Sequence, residues 1–186
     1  MEPKLFIDKH VQLVERCKQG ERKAQYELYK LYAKSMLNVC MRVVNHVGEA
    51  EDVLQEAFVD AFGHLDSFKG DSTFGAWLKQ IVVNKAINHL RQRKVQWVAI
   101  DDYTQEDGID LPDEPPTDYE DLQLDVERVK YAMRELPEGY RVVLSLYLFE
   151  GYDHEEIGEI LGISESTSRS QYMRGRKKLL EMLKKH

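Results

Sequence analysis

Apolar residues recur at intervals of three and four along most of the chain, which is the spacing of one buried helix face. The first such series is Leu28, Leu31, Tyr32, Met36, Val39, Cys40, Val43, Val44 and Val47. The second is Val53, Leu54, Ala57, Phe58, Ala61, Phe62 and Leu65. The third is Phe74, Trp77, Leu78, Ile81, Val82 and Leu90. It follows the helix breaker at 70–73, where Asp71 or Ser72 is expected to cap the helix. No segment alternates convincingly as a strand does, so a helical N-terminal domain is predicted.

Four more helices are predicted near the C-terminus, over residues 122–135, 140–149, 153–161 and from Ser164 onward. Between the last two, Gly158 is small enough for two helices to approach, Gly162 provides the sharp turn, Ile163 fills the corner and Ser164 is the expected N-cap. Two helices joined by a short glycine-containing turn are typical of a helix-turn-helix.

The negative charge is concentrated in one segment between these helical regions. The formal net charge of the chain is -7, yet residues 99–125 contain eleven acidic residues, three prolines and no Lys or Arg. This stretch has too little apolar content to fold alone and is predicted to be an extended linker. The sequence therefore predicts an all-α protein with helical domains over 1–98 and 126–186, joined by an acidic flexible linker over 99–125.

The last predicted helix is strongly basic, with seven Lys or Arg and one acid over residues 166–186. Its N-terminal half offers side chains suited to base edges in a major groove, namely Ser166, Thr167, Arg169, Ser170 and Gln171. Cations suited to phosphates follow at Arg174, Arg176, Lys177 and Lys178. The alternative is a solvated C-terminal helix whose lysines complement the helix dipole.

The third helix of the N-terminal domain combines amides and cations with nearby aromatic rings. Its polar residues are Asn84, Lys85, Asn88, Arg91 and Arg93, and the rings are Phe68, Phe74 and Trp77. Such a combination suits unstacked bases, where rings stack and amides bond base edges. For the rings, packing into the core is the stronger alternative, because aromatic residues at this spacing usually face inward.

Several classes of protein are disfavoured by the composition. Cys17 and Cys40 lie far apart without a CxxC or Cys/His cluster, so we expect buried free thiols and no metal site. Asp52 and Glu56 are carboxylates at i and i+4, but no histidine, ligand set or phosphate loop accompanies them, so we predict no enzyme and no cofactor. No apolar run spans a bilayer and no signal peptide is evident, which predicts a cytoplasmic protein without membrane insertion.

Three stretches, in order, resemble the extracytoplasmic-function (ECF) group of sigma-70-type RNA polymerase sigma factors. "GEAEDVLQEAFVDAF" resembles region 2.2, which docks on the beta-prime subunit. "FKGDSTFGAWLKQIVVNKAINHLRQRK" resembles regions 2.3 and 2.4, which capture the melted minus-ten element. "LPEGYRVVLSLYLFEGYDHEEIGEILGISESTSRSQYMRGRKKLL" resembles region 4, which reads the minus-thirty-five element. The resemblance implies a protein that directs promoter recognition, DNA melting and transcription initiation.

Residue roles follow from the resemblance. Core polymerase binding is implied for Asp52, Gln55 and Glu56. The flipped minus-ten base is implied to enter a pocket of the loop 68–73, with Phe68, Lys69, Gly70, Asp71 and Ser72. The non-template strand is implied to meet Asn84, Asn88, His89, Arg91 and Arg93. The minus-thirty-five element is implied to meet Ser166, Thr167, Arg169, Ser170, Gln171, Arg174 and Lys177.

The sequence departs from the family pattern at three positions. Asn88 stands where many relatives have Asp, Gln171 where they often have a basic residue, and Ser168 where helix-turn-helix domains place an apolar residue. We expect Asn88 to alter a base contact, and Ser168 to weaken packing or to bond back to its own helix.

The resemblance also implies partners: core RNA polymerase through its beta-prime and beta subunits, promoter DNA, and an anti-sigma factor, with a monomer when free. It implies that the linker threads the polymerase cleft and RNA exit channel, while a solubilising spacer explains its composition equally well. Two other classes stay open from the residues alone. One is a stand-alone helix-turn-helix regulator, which needs a dimer and a palindromic site. The other is a helical adaptor that binds only protein.

Overall fold

The computed structural model describes residues 10–93 and 126–184, so the predicted linker lies outside the described residues. Their regular structure is entirely helical, which confirms the predicted all-α class. They form two compact units. The first comprises residues 10–93 together with the turn Leu148–Gly151, and the second comprises the rest of 126–184. The exact domain boundaries at 98 and 125 stay a prediction.

The first unit consists of four α-helices and a short 3₁₀ turn. The helices are α1 (Val11–Lys18), α2 (Arg22–Val44), α3 (Val47–Gly63) and α4 (Phe74–Gln92), and the 3₁₀ turn is Leu65–Ser67. Helices α2, α3 and α4 pack against one another and bury the predicted apolar faces, while α1 covers α2. The two thiols are buried and free, and burial raises the pKa of Cys40 to about 12.

The boundaries of these helices correct some details of the sequence prediction. Asn45 adopts a left-handed conformation (φ 58°) that ends α2, so Val47 begins α3 and is exposed rather than buried. Leu31 is likewise exposed. Helix α4 is capped by Thr73, whose Oγ1 accepts from the Ala76 N–H at 3.2 Å, and not by Asp71 or Ser72. Helix α1 was not predicted, because eight residues are too few for a clear periodic pattern.

The second unit contains α5 (Val126–Glu135), α6 (Glu138–Leu148), α7 (His154–Leu161) and α8 (Glu165–Lys184). Helices α5, α6 and α8 share a core built from Ala132, Met133, Leu136, Leu144, Leu179 and Leu183. Gly175 lets α8 cross closely over α6, because a Cβ there would lie 2.9 Å from Tyr140 Cβ. Helix α8 also packs against α7.

The predicted turn between α7 and α8 is confirmed. Gly162 ends α7 with a φ of 69°, a left-handed conformation that favours glycine. A Cβ on Gly158 would lie only 2.8 Å from the Ile163 carbonyl oxygen, so the chain needs glycine there to fold back. Ser164 caps α8 as expected, since its Oγ accepts from the Thr167 N–H at 3.1 Å. At the other end, Asp153 and Glu156 form a reciprocal capping box that fixes where α7 begins.

Candidate nucleic-acid interface

An open cleft of about 370 Å³ lies along α4 of the first unit, and we call it the α3–α4 cleft. It is lined by Asp60, His64, Ser67, Trp77, Ile81, Asn84, Lys85 and Asn88. The predicted strand-binding amides Asn84 and Asn88 are exposed and line it together, because positions i and i+4 share one helix face. The cleft thus brings two amides and the half-buried Trp77 ring to one place. This combination of a ring face and amide groups is suited to an unstacked base.

An ion pair sets the charge of this cleft. Lys85 Nζ lies 2.5 Å from an Asp60 carboxylate oxygen and 3.8 Å from one of Glu56, both on α3. The cation that would meet a phosphate is therefore partly neutralised by α3. Asn88 Oδ1 accepts from Arg91 Nη1 at 3.3 Å, which leaves the amide N–H groups of Asn88 as its donors. Sequence reasoning missed Asp60 and His64 as lining residues, because both belong to a different helix or turn from the predicted strand-binding helix.

The structure corrects the role predicted for the Phe68 side chain. Its ring is buried and packs against Phe74 and Trp77, with centroids 5.7 and 5.4 Å away. Phe74 is fully buried, so the core interpretation is right for Phe68 and Phe74, while Trp77 is half-buried and also lines the α3–α4 cleft. The physical reason is the amount of apolar surface removed from water. Three rings packed together near the start of α4 bury more of it than one ring would by stacking on a DNA base.

The loop that follows Phe68 is exposed but anchored at both ends. Lys69, Gly70, Asp71 and Ser72 are all exposed, and Gly70 has a φ of 81°. On the N-terminal side, the buried Phe68 ring and a 3.0 Å bond from Lys18 Nζ to the Phe68 carbonyl fix the chain. On the C-terminal side, the Thr73 cap fixes it. The loop therefore presents its polar side chains from a fixed frame. Lys18, on the unpredicted α1, had no sequence signal for this role.

His89 and Arg93, two predicted strand-binding residues, are paired with Glu49 of α3. His89 Nε2 donates to Glu49 Oε2 at 2.8 Å, and Arg93 Nη2 donates to Glu49 Oε1 at 2.7 Å. The hydrogen bond from His89 lowers the pKa of Glu49 below its usual value, and the charge of Arg93 lowers it further. The carboxylate therefore stays ionised at neutral pH. Sequence reasoning missed Glu49, since its partners lie forty or more positions later.

The outer face of α3 presents the predicted polymerase-binding residues. Asp52, Gln55 and Glu56 are all exposed, because the neighbouring positions Val53, Leu54 and Ala57 turn into the core. One helix face thus carries two carboxylates and an amide in a row. It can present these acceptors to a basic or amide-rich partner.

On α8, most predicted DNA-contacting residues lie on the solvent face. Ser166, Arg169, Ser170 and Lys177 are exposed, while Thr167 and Arg174 are half-buried. Arg169 forms an ion pair with Glu165 one turn earlier on the same helix. The Ser166 hydroxyl bonds Ser164 Oγ at 2.9 Å, so its orientation is tied to the N-cap.

Gln171 and Ser168 lie on the buried face of the same helix, which corrects two expectations. Gln171 is 4% exposed, so its side chain faces the domain core rather than DNA. The reason is that positions 168, 171, 175 and 179 form one helical stripe that packs inward. Ser168 does not bond back to its own helix: its Oγ bonds His154 Nδ1 at 2.9 Å.

His154 joins three helices of the second unit through its ring. It stacks on Tyr147 of α6 at 4.6 Å between centroids, meets Tyr172 of α8 edge-on at 5.5 Å, and bonds Ser168. Burial lowers the pKa of His154, and the charge of Arg169 lowers it further, against the opposite pull of Glu165 and Asp153. The neutral ring therefore holds α7 against α8.

The described residues hold neither a candidate metal site nor a helix suited to a membrane. Among residues 10–93 and 126–184, no group of three or more His, Cys, Asp or Glu side chains is placed to hold a metal ion. In those ranges no helix combines the length and apolarity needed to cross a bilayer.

Comparison with known proteins gives a consistent result over most of the chain. The pattern of Sigma-70 region 2 matches residues 28–95, and that of Sigma-70 region 4 matches residues 127–179. The RNA polymerase sigma-H factor of Pseudomonas aeruginosa is 36% identical over 172 residues, covering 89% of each protein. The ECF RNA polymerase sigma-E factor of Escherichia coli K12 is 36% identical over 172 residues, covering 88% of each.

A solved structure supports the same assignment. The sigma factor RpoE from Bartonella quintana, crystallised with the anti-sigma factor NepR, is 25% identical, with a TM-score of 0.55 over 86% of this chain and 96% of that one. Regions 2 and 4 in one chain define a sigma-70-type protein. Within that class, the chain belongs to the ECF RNA polymerase sigma factors. The family expected from the sequence is confirmed, and nothing in these matches supports a stand-alone regulator.

Proposed function

We propose that this sigma factor binds core RNA polymerase through α3, captures melted minus-ten DNA with α4 and its preceding loop, and reads minus-thirty-five DNA with α8. The observation that carries the proposal is the α3–α4 cleft, where Asn84, Asn88 and the half-buried Trp77 meet. The protein acts by binding alone, without a catalytic step. Because polymerase is its partner, the expected location is the cytoplasm.

Polymerase docking is proposed for Asp52, Gln55 and Glu56. Their support is the exposed row that they form on α3, a surface not used by the core of the first unit. Exposed carboxylates that interact with a basic partner contribute to the association rate and register as well as to affinity. The beta-prime and beta subunits of polymerase are the proposed partners.

Minus-ten capture is proposed for the loop Lys69–Ser72 together with Asn84, Asn88 and Arg91. The exposed loop has fixed ends, so little ordering entropy is lost when a base enters it. Taking a base out of the stack costs a few kcal/mol, which the rigid loop and the amides on the cleft offset. Phe68 supports this loop from the core rather than stacking on the base.

Minus-thirty-five recognition is proposed for Ser166, Thr167, Arg169 and Ser170, with Arg174 and Lys177 on phosphates. These residues share the solvent-facing side of α8 or its edge, while Gln171 lies on the opposite, buried side. The short side chains lie in the N-terminal half, where a recognition helix meets base edges. The cations follow toward the C-terminus, where they position the helix on the backbone.

An anti-sigma factor is the third proposed partner. Its support is the similarity to the Bartonella quintana sigma factor, whose structure contains the anti-sigma factor NepR. Co-purification of the chain with a protein that blocks polymerase binding is the expected observation. If the sigma factor directs initiation in an extract of its own cells and no such inhibitory protein co-purifies with it, the proposal of an anti-sigma factor is contradicted.

The test of the main proposal is transcription in vitro with purified core polymerase, mapping start sites across genomic DNA with and without the chain. We expect new starts that share two spaced upstream motifs. Stable binding to duplex DNA without any polymerase-dependent start would contradict the proposal. A polymerase pull-down with Asp52, Gln55 and Glu56 each changed to Ala assigns the docking face.

The role of Arg169 has its own test within that assay. Arg169→Ala is expected to lower initiation at matched promoters by about tenfold, since a lost base or phosphate contact costs about 1–3 kcal/mol. Polymerase binding should be unchanged. Lys184→Ala, at the exposed end of α8, is the matched control. Equal loss of initiation and polymerase binding in Arg169→Ala would remove this assignment.

A further inference from the structure

Glu49 holds two basic side chains at the end of α4. It lies in the first turn of α3, and each carboxylate oxygen accepts one bond: Oε2 from His89 at 2.8 Å and Oε1 from Arg93 at 2.7 Å. His46 Nδ1 lies 3.8 Å from Oε1, but it accepts a hydrogen bond from the Glu49 backbone N–H and caps α3. Each oxygen of the carboxylate is therefore occupied by one donor from the end of α4.

A nucleic-acid phosphate presents the same chemistry to those donors as Glu49 does. Both are anionic oxygens that accept charge-assisted bonds from a guanidinium or an imidazole N–H. His89 and Arg93 therefore cannot donate these same N–H groups to a phosphate while they are bonded to Glu49. Glu49 is ionised at neutral pH as any ordinary glutamate is, and the hydrogen bond from His89 lowers its pKa further. A strand that reaches this end of α4 meets a carboxylate as well as the His89 imidazole and the Arg93 guanidinium.

We propose that Glu49 is a specificity-determining residue that competes with nucleic-acid phosphates for His89 and Arg93. The proposal rests on the proposed function, which places a DNA strand along α4. It deepens that function by stating what limits binding. A strand held through phosphates alone loses the contribution of these two side chains. A strand that also places a base beside Asn84 and Asn88 keeps the base contacts with these amides, so its binding depends less on His89 and Arg93.

A simple clamp is the competing explanation, and it predicts the opposite result. If Glu49 only fixed the two side chains in a DNA-ready position, its removal would let them move and would weaken binding. Competition instead predicts tighter binding when the carboxylate is neutralised. The sign of the effect therefore separates the two.

The experiment uses the full chain and a short, labelled, mixed-sequence single-stranded DNA, with affinity measured by fluorescence anisotropy over a range of KCl. The variant is Glu49→Gln and the matched control is Glu51→Gln. Glu51 is exposed on the same helix and forms no ion pair with the described residues, so both changes remove one negative charge. We expect Glu49→Gln to bind about tenfold more tightly at low salt, and its salt dependence to steepen by about 0.7 for each additional phosphate that the released side chains neutralise. Glu51→Gln should change affinity by about twofold or less, as a change in overall charge does.

Two results would overturn the proposal. One is an affinity of Glu49→Gln that is equal to or weaker than that of Glu51→Gln. The other is a double variant E49Q/R93Q that binds the strand as tightly as Glu49→Gln does. Competition requires the released arginine, so removing Arg93 should abolish the gain in affinity. The triple variant E49Q/H89Q/R93Q removes the whole cluster without leaving an unpaired charge. It is expected to bind within about twofold of the unchanged protein, and a large loss would favour the clamp.

The result is separable from the proposed function. No polymerase enters this measurement, so the absence of polymerase-dependent starts would count against the proposed function alone. Unfolding curves for each variant show whether the unit is intact. If no variant binds the strand at any salt concentration, competition is also overturned, since a released arginine and histidine should produce measurable binding.

Discussion

The two helices of this sigma factor that are proposed to contact DNA hold their charged side chains in different ways. On α4, Lys85 pairs with Asp60 of α3, and Arg93 pairs with Glu49 of α3. On α8, Arg169 pairs with Glu165 of the same helix, four positions earlier. The charge pattern of the first helix therefore depends on the packing of α3 against α4. That of the second needs only the helix itself.

The packing that supports α4 also differs from the packing that supports α8. Behind α4 lies a broad aromatic and aliphatic core with an anchored loop, which tolerates polar groups at its edge. Behind α8 lie the aliphatic core that it shares with α5 and α6, a close approach of the α7 backbone to the turn at Gly158, and the buried bond between His154 and Ser168. We therefore expect the second unit to be more sensitive to small changes of volume, and the first to be more sensitive to changes of charge. The following experiments test that comparison, from the largest expected effect to the smallest.

Gly158→Ala should give the largest effect. The added methyl group would lie 2.8 Å from the Ile163 carbonyl oxygen, so the turn between α7 and α8 must open. Overpacking of this kind costs about 3 kcal/mol at the upper end of its range. Thermal unfolding should show the loss in the second unit, together with loss of minus-thirty-five binding. Gly63→Ala, where a methyl group meets nothing within 4 Å, is the control. Unfolding curves that coincide for the two variants would show that the close contact is unimportant.

His154→Ala should give the next largest effect, and the effect should depend on pH. It leaves the buried Ser168 hydroxyl without its partner, which costs about 2 kcal/mol of unfolding free energy. The pKa of His154 is lowered in the folded protein from an ordinary value of 6.5, so the unfolded chain takes up the proton first as the pH falls. The stabilisation from the neutral ring is full above pH 6.5 and is lost as the pH falls through the folded pKa.

Chemical denaturation at several pH values measures this effect. The difference in unfolding free energy between the unchanged protein and His154→Ala should narrow as the medium becomes acidic. A difference that does not change with pH would show that the pKa of His154 is not lowered on folding. A difference that widens would reverse the sign of the argument.

Thr73→Ala tests the first unit. It removes the N-cap of α4 and one end of the anchored loop, at a cost of about 1 kcal/mol. Because the loop Lys69–Ser72 then loses its fixed frame, minus-ten selection should weaken more than polymerase binding. For stability, Ser72→Ala is the control, since the Ser72 hydroxyl does not cap the helix. Equal effects of both variants on stability would contradict the assignment of Thr73 as the cap.

Glu165→Gln should have the smallest effect on stability. An exposed pair at i and i+4 contributes about 0.5 kcal/mol or less. The corresponding change on the first helix, Glu49→Gln, disconnects two helices and should cost about 1 kcal/mol. Denaturation of both variants side by side tests the comparison directly. A larger loss from Glu165→Gln than from Glu49→Gln would reverse it.

Much of the fold followed from local patterns. Apolar spacing predicted α2, α3 and α4, and the glycine turn predicted α7 and α8, because both depend on interactions within a few residues of the chain. Helix ends were less predictable: Thr73 rather than Asp71 or Ser72 caps α4, and Asn45 separates α2 from α3. Side chains of similar capping strength stood next to each other in the sequence, so only the geometry of the turn could choose between them.

For the candidate site, the sequence predicted which helices carry the polar side chains. It predicted less well which of these side chains are exposed and could contact DNA. Asn84 and Asn88 were identified and lie together in the cleft. Phe68 and Gln171 were identified as contacts, and the structure places both side chains in the core. Whether an aromatic ring or an amide is buried or exposed depends on the residues that pack against it. These residues come from other helices and are not adjacent in the sequence.

The sequence by itself determined the helical class, the helix-turn-helix, the basic face of α8 and the family. These properties depend on spacing, on the conformational freedom of Gly162 and on charges within one helix, all of which are local. Only the tertiary structure decided that Glu49 meets His89 and Arg93, that Lys18 supports the loop after Phe68, and that His154 bonds Ser168. The physical reason is that packing of the apolar faces sets which helices adjoin, and a polar pair forms only where packing has brought its two members within bonding distance.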